Sequence, residues 1–467
     1  MLSPRNRELL GLIPAALLVI AGFTAIFVQA QADAGAGQLA HSANLVLNKA
    51  SAVSLLYGGL FLGLCVVGHL VIRFALPYAD PYMFPIAAVL ASIGIVMIYR
   101  IEPSLARQQA QWLVVGLILF AVTIVLLRRY GIGVLQRYRY TIAAVGIVMT
   151  VLPRLPVIGG EVNGAYLDVR LGPISFQPAE LAKVAIVIFL ASYLADNRQV
   201  LVTAGRRILG VTIPPMKHFG PMLLVWGAAM ATLLVTSELG TSLMFFGAFL
   251  ALLYVATGRF SFPVIGMVLF GLGSWLIVTH VGHVQARILA WEHPLNEKLL
   301  KEGTSYQLAQ GLFAQADGGL FGTGLGRSLL RLTPHGSPII PVPESDMIYA
   351  VITDELGLVG AAALLAAYLL FVARGLKTAT LARDSFSKLL AVGLSFTVAM
   401  QVFVIVGGVT RVIPLAGVTL PLVAYGGSSV VMNFVLLALL LVISDRARRP
   451  EGVHAPRRRG LSRAGAA

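Results

Sequence analysis

Four carboxylates crowd one short stretch of the chain, "PVPESDMIYAVITDELG" (Pro341–Gly357): Glu344, Asp346, Asp354 and Glu355, with no Lys or Arg among them. Only 20 of 467 residues are acidic, and the apolar run "LVGAAALLAAYLLFVA" follows at once. Charge beside or inside an apolar span is costly and points to function. Ser345 is placed to cap the helix that follows, with Asp346 in its first turn, where the N-terminal dipole favours negative charge. Asp354 and Glu355 fall roughly 12 Å deeper along that helix and need partners or water there. Asp346 belongs at the outer surface of the membrane, where a carboxylate can act as general base on a substrate held among lipid headgroups.

A second group lies in "FQPAELAK", 176–183. Pro178 suits the first turn of a helix, so Glu180 and Lys183 follow inside it, three apart and on one face. Two readings stand side by side: a self-neutralising ion pair that eases insertion, or a carboxylate and an ammonium lining a cavity wall. Glu238, in "TSELGTS", reads as a solvated acid in a tight link between spans. "GGLFGTGLGRS", 318–328, has a G-x-G pattern but no preceding strand, which removes a nucleotide-binding reading. It remains a glycine-rich backbone able to approach another loop or a phosphate closely.

Other chemistries find no support. HExxH, Cys-x-x-Cys and G-x-S-x-G patterns are absent, the eight His are scattered, and Cys65 stands alone inside an apolar run. One cysteine makes neither an intrachain disulfide nor a thiolate metal cluster. A Mg²⁺ bound together with substrate phosphates would leave little trace in sequence.

The elements that must position these residues are membrane helices. The chain is 58% hydrophobic and 12% charged, with a mean hydropathy of +0.85. Apolar runs near spanning length recur from end to end, which predicts an all-α polytopic bundle. We read twelve: 11–30, 52–72, 84–99, 111–127, 140–152, 180–195, 219–236, 241–257, 262–281, 347–373, 389–409 and 430–444. The first has an apolar core longer than a secretory signal and reads as an uncleaved span. The net charge of +15 does not point to nucleic acid, because most of the 35 Lys and Arg fall in alternate connections and the tail. That bias puts both termini in the cytoplasm. The tail, 446–467, reads as a disordered basic segment that can also touch anionic membrane lipids. Three long outer stretches, 153–179, 282–346 and 411–429, are Gly- and Pro-rich yet fairly apolar. They are expected to fold back onto the bundle and enclose an outward-opening cavity.

Five motifs in order, "NGAYLDVRLGPISFQPAELAK", "SELGTSL", "SYQLAQGLFAQADGGLFGTGLG", "ESDMIYAVITDELGLVG" and "GVTRVIPLAGVTLPLVAYGGSS", resemble the SEDS family, which contains the RodA and FtsW cell-wall proteins. The likeness covers residues 84–444, with the RodA branch the nearer. The resemblance implies a ten-span family core, 81–445, preceded by an extra pair of spans in 1–80. It also implies a peptidoglycan glycosyltransferase acting in cell elongation and shape. Such proteins polymerise lipid II, on undecaprenyl diphosphate, at the outer face of the cytoplasmic membrane. They work with a class B penicillin-binding protein, the crosslinking transpeptidase.

By the same resemblance the essential aspartate falls on Asp346, and Glu180 and Lys183 become cavity residues. Gln177, Arg287, Gln310, Ser428 and Ser429 join them as candidate substrate contacts. Asp346 would take the proton from the acceptor sugar's 4-hydroxyl as it attacks the anomeric carbon of the growing strand. Lys183, Arg287 and a Mg or Mn ion bound with the diphosphate would stabilise the leaving group. The product is inverted, and one base suffices. The chain departs from the family where Leu167 and Asp168 replace a usual Arg-Trp, and where "ESD" replaces "HTD". Two other readings of such a chain are a lipid II flippase and a noncatalytic scaffold. A flippase would place its charges near the midplane in repeated halves, and no repeat is evident.

Overall fold

The computed structural model of the chain describes residues 3–35, 40–155, 159–162, 165–171, 174–203, 206–208, 211–213, 216–235, 239–331 and 338–450. Glu238 and the tail beyond residue 450 lie outside them. In chain order the helices are α1 Pro4–Gly11, α2 Ile13–Gly35, α3 Ala40–Ala75, α4 Met83–Ile101, α5 Pro103–Tyr130, α6 Gly133–Arg137, α7 Arg139–Val151, α8 Pro178–Thr203 and α9 Met216–Val235. They continue as α10 Leu239–Thr257, α11 Ser261–His280, α12 Gly282–Glu292, α13 Glu297–Lys301, α14 Tyr306–Gly318, α15 Ile348–Leu381, α16 Ser385–Val409 and α17 Gly427–Arg448.

Among the described residues ten helical segments are long and apolar enough to cross a membrane, the first running through α1 and α2. The predicted spans 140–152 and 219–236 are present as helices α7 and α9. Helix α9 has 20 residues, whereas α7 has 13, short of the about 20 that a hydrocarbon core of about 30 Å asks for. The stretch 153–179 holds a small antiparallel sheet that the hydropathy pattern did not announce. It has the order β1 (Gly159–Val162), β2 (Ala165–Leu171), β3 (Ile174–Phe176), with Gly159 opposite Val169 and Val169 opposite Phe176. A second hairpin, β4 (Arg206–Ile208) and β5 (Val211–Ile213), follows α8.

The core forms where α8, α10, α15, α16 and α17 meet, with α4 and α5 closing one side. Helices α8 and α17 are buried along most of their length, whereas α11 turns Leu269, Leu272 and Trp275 outward. In a bilayer such a face meets lipid, which is as apolar as the side chains it touches. At one end of the bundle Asp80, just before α4, gathers Arg374 of α15 and Arg448 of α17, and its backbone N–H donates to Ser444 Oγ at 2.9 Å. Burial alone would raise the Asp80 carboxyl. The bonds from Arg374 and the Tyr82 N–H, with the Arg448 charge, hold it below its ordinary value instead.

The other end is organised by a break in α15. Gly357 has φ +67° and ψ −172°, so the helix loses its hydrogen-bond ladder there. Backbone groups freed at membrane depth must find partners within the protein. The glycine-rich segment after α14 supplies them. The N–H groups of Thr323 and Gly324 donate to the carbonyls of Asp354 and Glu355 at 2.9 and 3.1 Å, while those of Leu358 and Val359 donate to Gly319 and Leu320. A Cβ at Gly322 would lie 2.2 Å from the Glu355 carbonyl oxygen, so only glycine permits this approach.

The Glu355 side chain completes the joint. It is fully buried, accepts from Ser328 Oγ at 2.7 Å, the Gly326 N–H at 3.0 Å and Arg100 Nε at 3.0 Å. Arg100 Nη2 also donates to the carbonyls of Gly326 and Ser328. Removing one member of a buried ion pair strands the other, so Glu355→Ala is expected to lower stability by about 3–5 kcal/mol. Denaturation of the detergent-solubilised protein checks this; an unchanged midpoint would show that the pair contributes nothing.

Candidate functional site

Asp346 stands before α15, not in its first turn. The helix starts at Ile348 with Met347 at the cap position and no side-chain cap, so Ser345 does not cap it. The reason is a tight turn just upstream: Val342 has φ +49°, and the Ser345 N–H closes onto the Val342 carbonyl at 3.3 Å. That turn swings the Asp346 carboxylate away from the helix axis and toward α14. Gln307 of α14 meets it there, its Nε2 lying 3.2 and 3.3 Å from the two carboxylate oxygens and 3.2 Å from the Pro341 carbonyl. One amide group thus fixes both the acid and the turn that presents it. Arg287, partly buried on α12, contributes its charge without a hydrogen bond among the described residues.

Burial dominates the acidity of Asp346 and pushes it up to about 6. Its own backbone N–H, the Gln307 amide and Arg287 act in the opposite sense, while Glu344 adds to the rise. Arg287 in turn is lowered by burial and raised by Asp346. A carboxylate in this range is ionised at neutral pH yet far more basic than an exposed one.

The connection from α16 to α17, residues 410–426, ties the rest of the site together. Arg411, at φ +62°, donates to the carbonyls of Trp291 and Glu292 at the end of α12, and Trp291 Nε1 returns a bond to the Arg411 carbonyl. Tyr368 of α15 donates to the Pro421 carbonyl. The Tyr425 N–H donates to the Glu344 carbonyl at 2.8 Å, and its hydroxyl donates to Gln108 at 2.6 Å. Gln109 brackets the same corner through the Ala424 carbonyl and the Gly426 N–H.

The other predicted residues sort around this connection. Glu180 and Lys183 are buried and pair at 2.5 Å, and Lys183 Nζ donates to Gln401 Oε1 at 2.8 Å. Gln401 passes the link on to the Thr419 carbonyl at 2.8 Å. The Gln177 N–H donates to Ser428 Oγ at 2.7 Å, while Ser429 accepts from Asn433. Gln310 is partly buried one turn beyond Gln307, on the same side of α14. Asp346, Arg287 and Gln307 therefore form one group, and Glu180, Lys183 and Gln401 another. No hydrogen bond or ion pair joins Lys183 to Asp346 among the described residues; the 410–426 connection runs between them. Asp354 belongs to neither group, and its carboxylate meets Thr323 Oγ1 at 3.4 Å.

Gln307, Gln401 and Tyr425 were not singled out from sequence. Gln401 carried a usable signal, a polar side chain inside an apolar run with Lys183 in need of a partner. Nothing about Gln307 or Tyr425 distinguished them before their contacts were seen.

The fold and site define a polytopic helical membrane protein with one carboxylate held at the mouth of its bundle. The cell cycle protein family FTSW_RODA_SPOVE matches residues 81–449, and the chain belongs to it. It is 40% identical over 459 residues to the peptidoglycan glycosyltransferase RodA of Mycobacterium tuberculosis, covering 96% of this chain and 92% of that one. It is 28% identical to the stage V sporulation protein E of Bacillus subtilis, across 79% of this chain and 98% of that one. Among solved structures, the rod shape determining protein RodA of Thermus thermophilus superimposes with a TM-score of 0.53 at 25% identity, across 80% of this chain and 98% of the other.

A base that must be ionised loses activity as pH falls through its pKa. Turnover is therefore expected to show an acidic limb centred near pH 6, the value to which burial lifts Asp346. Arg287→Gln removes a lowering influence and Gln307→Leu another, so both should move that limb to higher pH. A pH–rate series on the three proteins checks the sign; a limb that stays put would remove these two residues from the electrostatics of the site.

Proposed function

We propose that the chain is a peptidoglycan glycosyltransferase that polymerises lipid II, with Asp346 as general base. The observation that carries the reading is the Asp346–Gln307 pair where α14 meets the start of α15, within a chain belonging to this family. The acceptor's 4-hydroxyl gives its proton to Asp346 as its oxygen attacks the donor's anomeric carbon. The bond to the lipid diphosphate breaks on the opposite side, which converts an α-linked donor to a β-linked product. Arg287 is the cation nearest this carboxylate in its electrostatic effect and suits the leaving diphosphate. Glu180 and Lys183 neutralise each other, and their part is to hold the 410–426 connection through Gln401.

No group of three His, Cys, Asp or Glu converges among the described residues, so side chains alone do not assemble a cation site. A Mg or Mn ion fits as a companion of the diphosphate, with Glu344 offering a carboxylate oxygen and the phosphates the remainder. When bound it would offset the charge of the leaving group.

The orientation follows from charge. Helices α15 and α17 run from the Asp346 corner to an opposite end that carries Arg374, Arg446 and Arg448, and α5 ends there in Arg128 and Arg129. The basic end faces the cytoplasm by the positive-inside bias, which puts Asp346 outside. A class B penicillin-binding protein is the partner that would crosslink the strands.

The test is polymer formation by purified protein, with its transpeptidase partner, lipid II and a divalent ion. Asp346→Asn is expected to lower turnover by at least about 10²-fold, the scale of a lost general base. Persisting glycan chains would remove Asp346 from the chemistry. Lipid crossing a vesicle wall without polymer would replace the reading by a flippase.

A further inference from the structure

Residues 4–75 precede the segment that matches the family, yet the helices they form are fastened to the bundle at both ends. At the basic end Arg5 pairs with Glu8 and donates to the Ala79 carbonyl, while His69 Nδ1 of α3 lies 2.9 Å from Glu8 Oε1. All three side chains are buried. This buried polar cluster, drawn from two helices and the turn before α4, fixes α1 and α3 next to Asp80, the anchor of α15 and α17. Along the membrane α2 lies close on α4, with the Phe23 ring edge-on to Tyr99 at 5.0 Å between centroids.

At the other end α2 meets the glycine-rich segment. Arg327 Nε donates to Gln29 Oε1 at 3.1 Å, and a Cβ on Gly326 would stand 3.2 Å from the Gln29 Cβ. The Gly326 peptide is the one that donates to Glu355 and accepts from Arg100. It is therefore held between α2 on one side and the break in α15 on the other. That segment continues directly from α14, which carries Gln307, and leads on to the turn that presents Asp346.

We propose that α2 is a positioning element for Asp346, acting through the contact of Gln29 with Gly326 and Arg327 and from there through α14. The proposal rests on the reading of Asp346 as the base. It assigns the N-terminal helices a part in the reaction without contact with substrate, and it predicts a defect in turnover and not in substrate affinity.

Gln29→Leu keeps bulk and removes the acceptor. In the full-length protein polymerising lipid II it is expected to lower kcat about tenfold with KM unchanged, as small misplacements of a catalytic group do. The acidic limb of its pH profile should move to lower pH, because burial, the largest influence on Asp346, is lost and outweighs any weakening of the Gln307 bond. Gln29→Glu retains an acceptor for Arg327 and should restore both kcat and the limb. Arg327→Met, at an exposed position, breaks the same contact from the other side and should reproduce the defect with the melting temperature unchanged. Wild-type turnover and pH profile in Gln29→Leu and Arg327→Met, beside an inactive Asp346→Asn, would overturn the proposal and leave the base in place. An active Asp346→Asn would overturn both.

Discussion

A helix interrupted at membrane depth is the constraint on which the Asp346 half of this protein depends. At Gly357 the ladder of α15 opens, and the carbonyls of Asp354 and Glu355 and the N–H groups of Leu358 and Val359 are left without intrahelical partners. Water is not available to them in hydrocarbon, so another backbone has to come within bonding distance. The segment 319–324 does so because its glycines let two main chains approach without side chains between them. Once that joint is made, α14 before it and the turn at Val342 after it are no longer free to wander. Asp346 and Gln307 meet as a consequence of a backbone requirement several residues away from either.

The 410–426 connection performs a related task from the opposite side. It is irregular backbone laid over the end of the bundle, and its polar groups are met by side chains from α5, α12, α15 and α16. It reaches the turn before Asp346 through the bond of the Tyr425 N–H to the Glu344 carbonyl. The same connection links the buried Glu180–Lys183 pair to the Glu344 backbone through Gln401 and Tyr425.

Much of this was legible in the sequence because the bilayer makes polar residues conspicuous. Asp346 separates from Asp354 and Glu355 by depth alone, and the deeper Glu355 has the partners that depth demanded, Arg100 and Ser328. The glycine-rich run was legible as a close backbone approach, though its partner, α15, was not. What escaped was geometry set by tertiary contacts. Ser345 in front of an apolar helix looks like a cap, but the strained Val342 turn delays the helix to Ile348. The sheet at 159–176 escaped because alternation in "AYLDVRL" is brief and lies among membrane spans. The short helix α7 looks like a span in a hydropathy scan because composition, not length, dominates such a window.

The treatment of buried carboxylates in this chain has its own logic. Glu8, Asp80, Glu180, Glu355 and Asp445 each sit against an Arg or Lys, which offsets part of the cost of burying their charge. Asp346 is bonded to a neutral amide, with Arg287 felt only as a charge. An arginine in direct contact would steady that carboxylate more firmly, and would lower its basicity. Glutamine fixes position with little of that loss. In a chain with 35 Lys and Arg against 20 acids, a neutral amide is therefore the partner that leaves this carboxylate basic.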